Sequence, residues 1–378
     1  MASGRKLRSG YTTGACAAAA AKGAALLLLG REPAAAVLRL PWGDPQAREV
    51  AFPLVGCAAG EGWASCGVVK DAGDDPDATD GLEIRAAVAW SARDAAAASI
   101  EIDGGEGVGR VTKPGLAAPV GGAAINPVPR AMIETSVQEA LAEAGVSVPP
   151  ALRVVVTVPR GGEVARKTLN ARLGIEGGLS ILGTTGIVIP MSTDAWRATI
   201  DACLDVARAT GVSSAVLAHG RSSEAAARRL FPELSPEAFV LMGDHVGYAL
   251  EAAARRGLGV VLAGQFAKFC KVAAGHFATH VKDSTLDPTV LSRLLGEAGF
   301  PPAEAEAALG ANTAREVFER LRAGGDRGVF AALTAEVARR ASARLGGRVP
   351  LEALLFGYQK ECLARVSLPA SGPPGGPA

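Results

Sequence analysis

Two rhythms of apolar and polar residues run along this chain, and each predicts a different kind of domain. Residues 37–40, 49–54, 63–70, 82–90 and 99–102 are short apolar or alternating runs separated by acidic and glycine-rich loops, which predicts strands. Helical patterns bracket them over residues 14–29, opened by the hydroxyls of Thr12 and Thr13, and over 130–144. Successive strands bounded by helices predict an α+β domain with an antiparallel or mixed sheet over residues 1–147. The proline-containing stretch 145–150 marks the predicted boundary.

The second rhythm begins with the continuous apolar run 152–158, the pattern of a strand buried on both faces. Residues 178–188 read as a strand broken by the turn Gly183-Thr184-Thr185-Gly186. From residue 214 onward, predicted strands (214–218, 239–242, 259–263) alternate with predicted helices (222–231, 244–256, 265–274). That spacing implies right-handed crossovers and a parallel sheet, hence an α/β domain over residues 148–368. Its strands end at Gly220, Gly243 and Gly264, along the carboxyl edge where open α/β sheets bind ligands. Residues 287–361 read as helices and 369–378 as a disordered tail.

Composition narrows the function. Of 378 residues, 49% are hydrophobic, enough for substantial cores, which excludes a disordered or collagen-like chain. Thirty-nine basic residues against 38 acidic ones leave a net charge of +1, which argues against nucleic acid or an anionic membrane as partner. Any anion affinity must then come from local clusters. Six cysteines without a C-x-x-C pair predict reduced thiols and a cytoplasmic location. The N-terminus has the basic-then-apolar outline of a signal peptide, but Lys22 interrupts the apolar run, and no membrane span is expected.

Four stretches could carry chemistry. Residues 104–110 contain G-x-G-x-G without the helix that a dinucleotide fingerprint requires, so a tight hairpin competes with an anion-cradling loop flanked by Arg110 and Lys113. The acidic stretch 70–81 does not fit the calcium-loop frame and reads as a solvated turn. His276 and His280 would share a helical face, yet no third metal ligand can be named, and a His at a ligand edge is the better reading. Arg160, Arg166 and Lys167 follow the buried strand and suit carboxylates, while the 183–186 turn offers N–H groups and hydroxyls.

Taken in order, these segments resemble the cobalt-precorrin-5B C(1)-methyltransferase family of anaerobic cobalamin biosynthesis. The matching stretches are GYTTGACAAAAAK from Gly10, VVKDAGDDPDATDG from Val68, GEGVGRVTKPGL from Gly105 and INPVPRAMI from Ile125. VPRGGEVARKTLNARLGIEGGLSILGTTGIVIPMS from Val158 and LAGQFAKFCKVAAG from Leu262 continue the series. Asp80, Ala278 and Val281 depart from the family pattern.

The resemblance implies methyl transfer from S-adenosylmethionine to ring carbon 1 of a cobalt-corrinoid, and an α+β domain beside a Rossmann-like one. Cobalt would arrive inside the macrocycle, so no protein-bound metal is expected. Donor-binding residues would be Gly183, Thr184, Thr185, Gly186, Gly220, Gly243, Asp244 and Gly264. Arg110, Lys113, Arg130, Arg160, Arg166, Lys167 and His280 would face the substrate and its carboxylates. Asp71, Asp74 and Thr13 are the catalytic candidates, with Asp71 either a base or a cap of its own turn. Monomer and homodimer both stay open. The rivals are a Rossmann-type nucleotide-binding oxidoreductase or kinase, and a corrinoid-binding protein without catalysis.

Overall fold

In the computed structural model, which describes residues 7–91, 99–146, 151–311, 313–325 and 327–371, a short strand β1 (Gly10–Tyr11) leads into helix α1 (Thr13–Leu28). Alanine side chains hold neighbours off so little that α1 is buried without a break from Thr13 to Leu26. Thr12 caps it, its Oγ1 accepting the Ala15 N–H at 3.2 Å. Buried Lys22 ties α1 to the next helix, α2 (Pro127–Glu143), through Glu139 and Glu143 at 2.9 and 2.7 Å.

Both helices cover a mixed sheet. Strands β2 (Ala35–Leu40) and β3 (Arg48–Pro53) form a separate antiparallel pair. The larger sheet contains β4 (Val55–Gly60), β5 (Trp63–Val69), β6 (Glu83–Trp90) and β7 (Ile100–Gly104). After β8 (Arg110–Val111), strand β9 (Leu152–Thr157) enters it between β6 and β7, antiparallel to the first and parallel to the second. Val88, Val154 and Val156 of this sheet pack with Met132 and Ile133 of α2. A short helix α3 (Gly161–Ala165) and the strands β10 (Ile175–Glu176) and β11 (Ile187–Val188) follow, pairing with β8 and β1.

The second unit opens with α4 (Thr193–Ala209) and alternates: β12 (Ser214–Ala218), α5 (Arg221–Leu230), β13 (Phe239–Leu241), α6 (Val246–Arg255), β14 (Gly259–Gln265), α7 (Phe266–Ala273). Helices α8 (Pro288–Glu297), α9 (Pro302–Leu309), α10 (Ala314–Ala323) and α11 (Gly328–Arg344) precede β15 (Leu351–Phe356) and β16 (Cys362–Leu368). The sheet order is β13-β12-β14-β15-β16, parallel through the first four strands, with β16 antiparallel. Leu217, Val240 and Leu262 face the core shared with α4, α6, α7 and α11, whereas Val216, Ala218 and Val261 face α5. The chain leaves β12 in one direction for β13, then passes back beyond β12 to β14. Helices on opposite faces are what right-handed crossovers require of that reversal.

Several expectations change. The units divide at 193/194, because β9 is hydrogen-bonded on both sides within the first sheet. The predicted boundary at 145–150 thus falls inside the first unit, and residues 147–150 lie outside the described residues, as do 372–378 of the expected tail. Residues 351–356, expected as helix, are the strand β15, buried between parallel β14 and antiparallel β16. Cys57 and Cys66, expected as free thiols, are joined by a disulfide across the neighbouring strands β4 and β5, their Cα atoms 4.2 Å apart. Among the described residues no helix is long and apolar enough to cross a membrane.

Candidate functional site

In the first unit three segments converge on the start of α1. The N–H groups of Thr12 and Gly14 donate to the carbonyls of Gly186 and Leu182, each at 3.0 Å, which hangs the 182–186 turn on the helix. Buried Thr13 accepts the Leu182 N–H on Oγ1 at 2.9 Å, and its hydroxyl faces the Ser180 and Leu182 carbonyls at 3.3 Å. Gly183, at φ 129°, lies against Thr12, where a Cβ would overlap the threonine side chain. Gly183, Thr184, Thr185 and Gly186 therefore belong to the first unit and not to the carboxyl edge of the parallel strands. The pairing of β11 with β1 holds them there.

The acidic loop forms the third segment, and its aspartates are committed to the chain itself. Asp71 takes both terminal nitrogens of Arg8 and the Gly73 N–H at 2.9 Å, and its carbonyl accepts the Tyr11 N–H at 2.7 Å. Asp74 accepts the Arg8 N–H at 2.7 Å, Asp75 the Met191 N–H at 2.8 Å and Asp80 the Ala72 N–H at 2.8 Å. Asp77 receives fully buried Lys70 at 2.7 Å and both groups of Thr79. The Arg8 hydrogen bond, aided by Gly73 N–H, holds the Asp71 carboxyl down at about 2. Such a group stays ionised and is a weak proton acceptor at neutral pH. Around the loop, Leu182, Ile189 and Met191 leave large apolar side chains exposed.

The basic candidates separate into two sets. Arg110 is held by Asp103 at 2.9 and 3.1 Å and by the Gly104 carbonyl, and Arg130 donates to the Ile125 and Ile102 carbonyls at 3.1 and 2.8 Å. Both guanidinium groups fasten the chain to itself. Lys113 lies partly buried against Gly174. Arg160, Arg166 and Lys167 are exposed, and the ion pair of Arg160 with Glu163 is long, at 3.5 Å. The glycine loop serves close packing: Gly107, at φ 74°, abuts the Val158 carbonyl, and Gly161 and Gly178 abut that of Gly107. Three backbones meet where no side chain fits, which explains the G-x-G pattern without an anion.

In the second unit, the carboxyl ends of β12, β13 and β14 bring Gly220, Gly243, Asp244 and Gly264 to one edge. Asp244 Oδ1 accepts from Thr279 Oγ1 at 2.6 Å and from Lys268, and among the described residues no hydrogen bond reaches Oδ2. Burial would raise the Asp244 carboxyl, but the Lys268 and Thr279 bonds outweigh it and hold the group below the usual carboxylate range. Lys271 braces the same loop through the Thr279 and Ser284 carbonyls at 2.9 and 2.8 Å, and burial lowers its ammonium. Trp196, 47% exposed, donates its indole N–H to the Met242 carbonyl at 3.2 Å and lies over Gly243. His276 and His280 sit beyond the end of α7, so they share no helical face, and His280 is exposed with Nδ1 accepting the Lys282 N–H at 3.2 Å. Among the described residues no cluster of His, Cys, Asp or Glu could hold a metal ion.

His219, Lys268, Thr279 and Trp196 did not stand out in the sequence. A Lys in an amphipathic helix and a Thr in a loop carry no signal of their own. The exposed Trp in a chain with only 4% aromatics was the one available clue.

Fold and edge together define an α/β protein whose second unit carries a parallel sheet with a reversal of strand order at β12. The chain belongs to the CbiD family: the CbiD model matches residues 1–190, and CbiD, C-terminal domain, matches 278–367. It is 51% identical to the cobalt-precorrin-5B C(1)-methyltransferase of Geobacter sulfurreducens, over 96% of this chain and 99% of that one. The proteins of that name from Geobacter metallireducens and Geobacillus kaustophilus are 49% and 45% identical, over 95% and 94% of this chain and 98% and 94% of theirs. A crystal structure of the cobalamin biosynthesis protein (cbiD) from Archaeoglobus fulgidus is 25% identical, covering 84% of this chain and 85% of that one, with a TM-score of 0.37.

Proposed function

We infer that this chain is a cobalt-precorrin-5B C(1)-methyltransferase of cobalamin biosynthesis that uses S-adenosylmethionine as donor. The observation that carries the reading is family membership spanning both units, with relatives of that name 45–51% identical over nearly the whole chain.

The second unit is read as Rossmann-like and as the donor's half. Asp244 follows the second strand of its sheet, the position from which an acidic residue reaches ribose hydroxyls in Rossmann sites, and Oδ2 is uncommitted. Gly220 opens the first strand-to-helix turn with nothing within 4 Å of the place a Cβ would take, so a ligand can approach the backbone there. The first unit is read as the substrate's half. Exposed Arg160, Arg166 and Lys167 suit the carboxylates of a corrinoid, and exposed Leu182, Ile189 and Met191 suit its flat apolar face. Arg110, Lys113 and Arg130 stay secondary members of that set, the two arginines because they already bind the chain, and His280, in the second unit, is a separate secondary candidate. Asp71, Asp74 and Thr13 are read as members of the substrate's half, Asp71 as an ionised carboxylate beside Arg8 and Thr13 as the residue that shapes the neighbouring turn.

The reaction moves a methyl from sulfur to ring carbon 1 and leaves S-adenosylhomocysteine, so the protein's task is alignment and exclusion of water. With cobalt-precorrin-5B and S-adenosylmethionine, the enzyme should release one S-adenosylhomocysteine per C1-methylated product. S-adenosylhomocysteine should also raise Tm by mass action. A rise with NAD or ATP in its place would mark a nucleotide-binding oxidoreductase or kinase. Corrinoid binding without turnover would mark a carrier.

A further inference from the structure

We propose that His219 is a donor-contacting residue: its Nε2 lone pair accepts a hydrogen bond from an O–H or N–H group of the nucleoside of the methyl donor. The proposal rests on the reading of the second unit as the donor's half.

The ring is fixed and its free atom is defined. His219 immediately follows β12, the strand from which the sheet order reverses, and precedes Gly220 and α5. Its Nδ1 lies 3.3 Å from the Ala263 carbonyl. A carbonyl only accepts, so the proton sits on Nδ1 and Nε2 carries a bare lone pair. The Phe269 ring packs edge-on at a centroid distance of 6.2 Å. Gly264 adds the other wall, since a Cβ there would overlap Phe269 and press on His219 Nδ1. Nε2 is buried and has no hydrogen-bond partner in the protein.

A buried acceptor left without a donor is unfavourable, and native proteins rarely keep one without a use for it. Protonation does not resolve it, because burial keeps the imidazole neutral, with its pKa lowered to about 4. The charged groups facing it, Lys268 and Asp244, act in opposite directions and are bonded to each other. What satisfies the lone pair is therefore a donor group brought by a ligand, at the strand reversal where such sheets hold nucleosides. Asp244 Oδ2, on the neighbouring strand end, accepts as well. The two acceptors together fit a molecule carrying several hydroxyl and amino groups.

Two substitutions isolate the lone pair. Asn places an amide N–H near the Nδ1 position, keeping the Ala263 bond, but has no atom at the ε position; Gln reaches the ε position with an acceptor. Calorimetric titration of the full-length protein with S-adenosylhomocysteine should show His219→Asn binding at least about tenfold more weakly than wild type, with apo Tm within about 2 °C. His219→Gln should bind within about threefold of wild type. Wild-type affinity in His219→Asn would overturn the assignment and leave the donor reading intact. So would equal losses in Asn and Gln variants, which would mean that ring shape is what counts. Should His219→Asn fail to fold, His219→Phe, which keeps a flat ring and lacks the lone pair, takes its place with the same outcomes. No binding of S-adenosylhomocysteine to the wild type would instead overturn the donor reading itself, and the assignment with it.

Discussion

At the scale of single residues, Asp71 shows how one carboxylate can suggest catalysis and serve architecture. Its density of acidic neighbours made it a candidate base, yet Arg8 and the Gly73 N–H occupy it and hold its pKa at about 2, against 3.8 in an unstructured chain. A folded-state value below the unfolded one contributes stability that is complete above about pH 4 and is lost as pH falls toward 2. Arg8→Ala should thus lower Tm at neutral pH, and the difference from wild type should close as pH approaches 2. Both side chains are well exposed, so solvent screening keeps the effect small. Asp71→Asn should lower Tm to a similar extent and reduce turnover by less than about tenfold. A fall on the order of 10²-fold at unchanged Tm would restore the carboxylate as a base.

At the scale of elements, much was legible because the apolar pattern has only one good structural solution. The strand–helix alternation from residue 214 to 274 appears almost as predicted, since each strand ends close to a glycine and the helix after it fits one crossover. The stretch Leu351–Phe356 failed for a physical reason: a short, mostly apolar run fits a buried strand and a buried helix equally, and only its parallel pairing with β14 decides. Likewise, no local signal says that the 183–186 turn docks on α1. That placement comes from hydrogen bonds between residues more than 160 positions apart, such as Leu182 N–H to Thr13 Oγ1. Pairing of distant segments is decided by the whole fold.

Arg160 belongs to this scale because it starts α3 in the left-handed region, at φ 64°, a costly conformation for a residue with a Cβ. No backbone preference recommends arginine there, and its side chain is 74% exposed with one long ion pair. Retaining it at such a position favours a use outside the chain, and substrate carboxylates are the use proposed. Arg160→Ala and Arg160→Gly should both weaken corrinoid binding, by about 1.5–3 kcal/mol if the lost bond is charge-assisted, and leave S-adenosylhomocysteine binding unchanged. The glycine variant should be more stable than the alanine one by about 1 kcal/mol in denaturant titration, because only glycine relieves the strain. Equal losses for both ligands would make Arg160 a structural residue.

At the scale of the whole molecule, the chain divides its candidate groups between two units, each with its own core. The sequence assigned donor-binding glycines to both stretches, 183–186 and 220–264, as if they lined one edge. The fold separates them, with the first set bonded to the start of α1 and the second at the ends of parallel strands. Hydrogen exchange read by mass spectrometry can tell whether the division is functional, because a bound ligand slows exchange of the amides whose opening it opposes. With S-adenosylhomocysteine, protection should rise in peptides covering residues 219–224, 243–248 and 264–271. The reason is that His219, Asp244 and the helix starts behind them are the groups a nucleoside would engage. Peptides covering 180–188 should be unchanged by that ligand and slowed by the corrinoid, since the turn lies beside the exposed apolar side chains of Leu182, Ile189 and Met191. Protection of the 183–186 turn by S-adenosylhomocysteine alone, with none at 219–224, would move the donor to the first unit and return that turn to the role its Gly-Thr-Thr-Gly sequence first suggested.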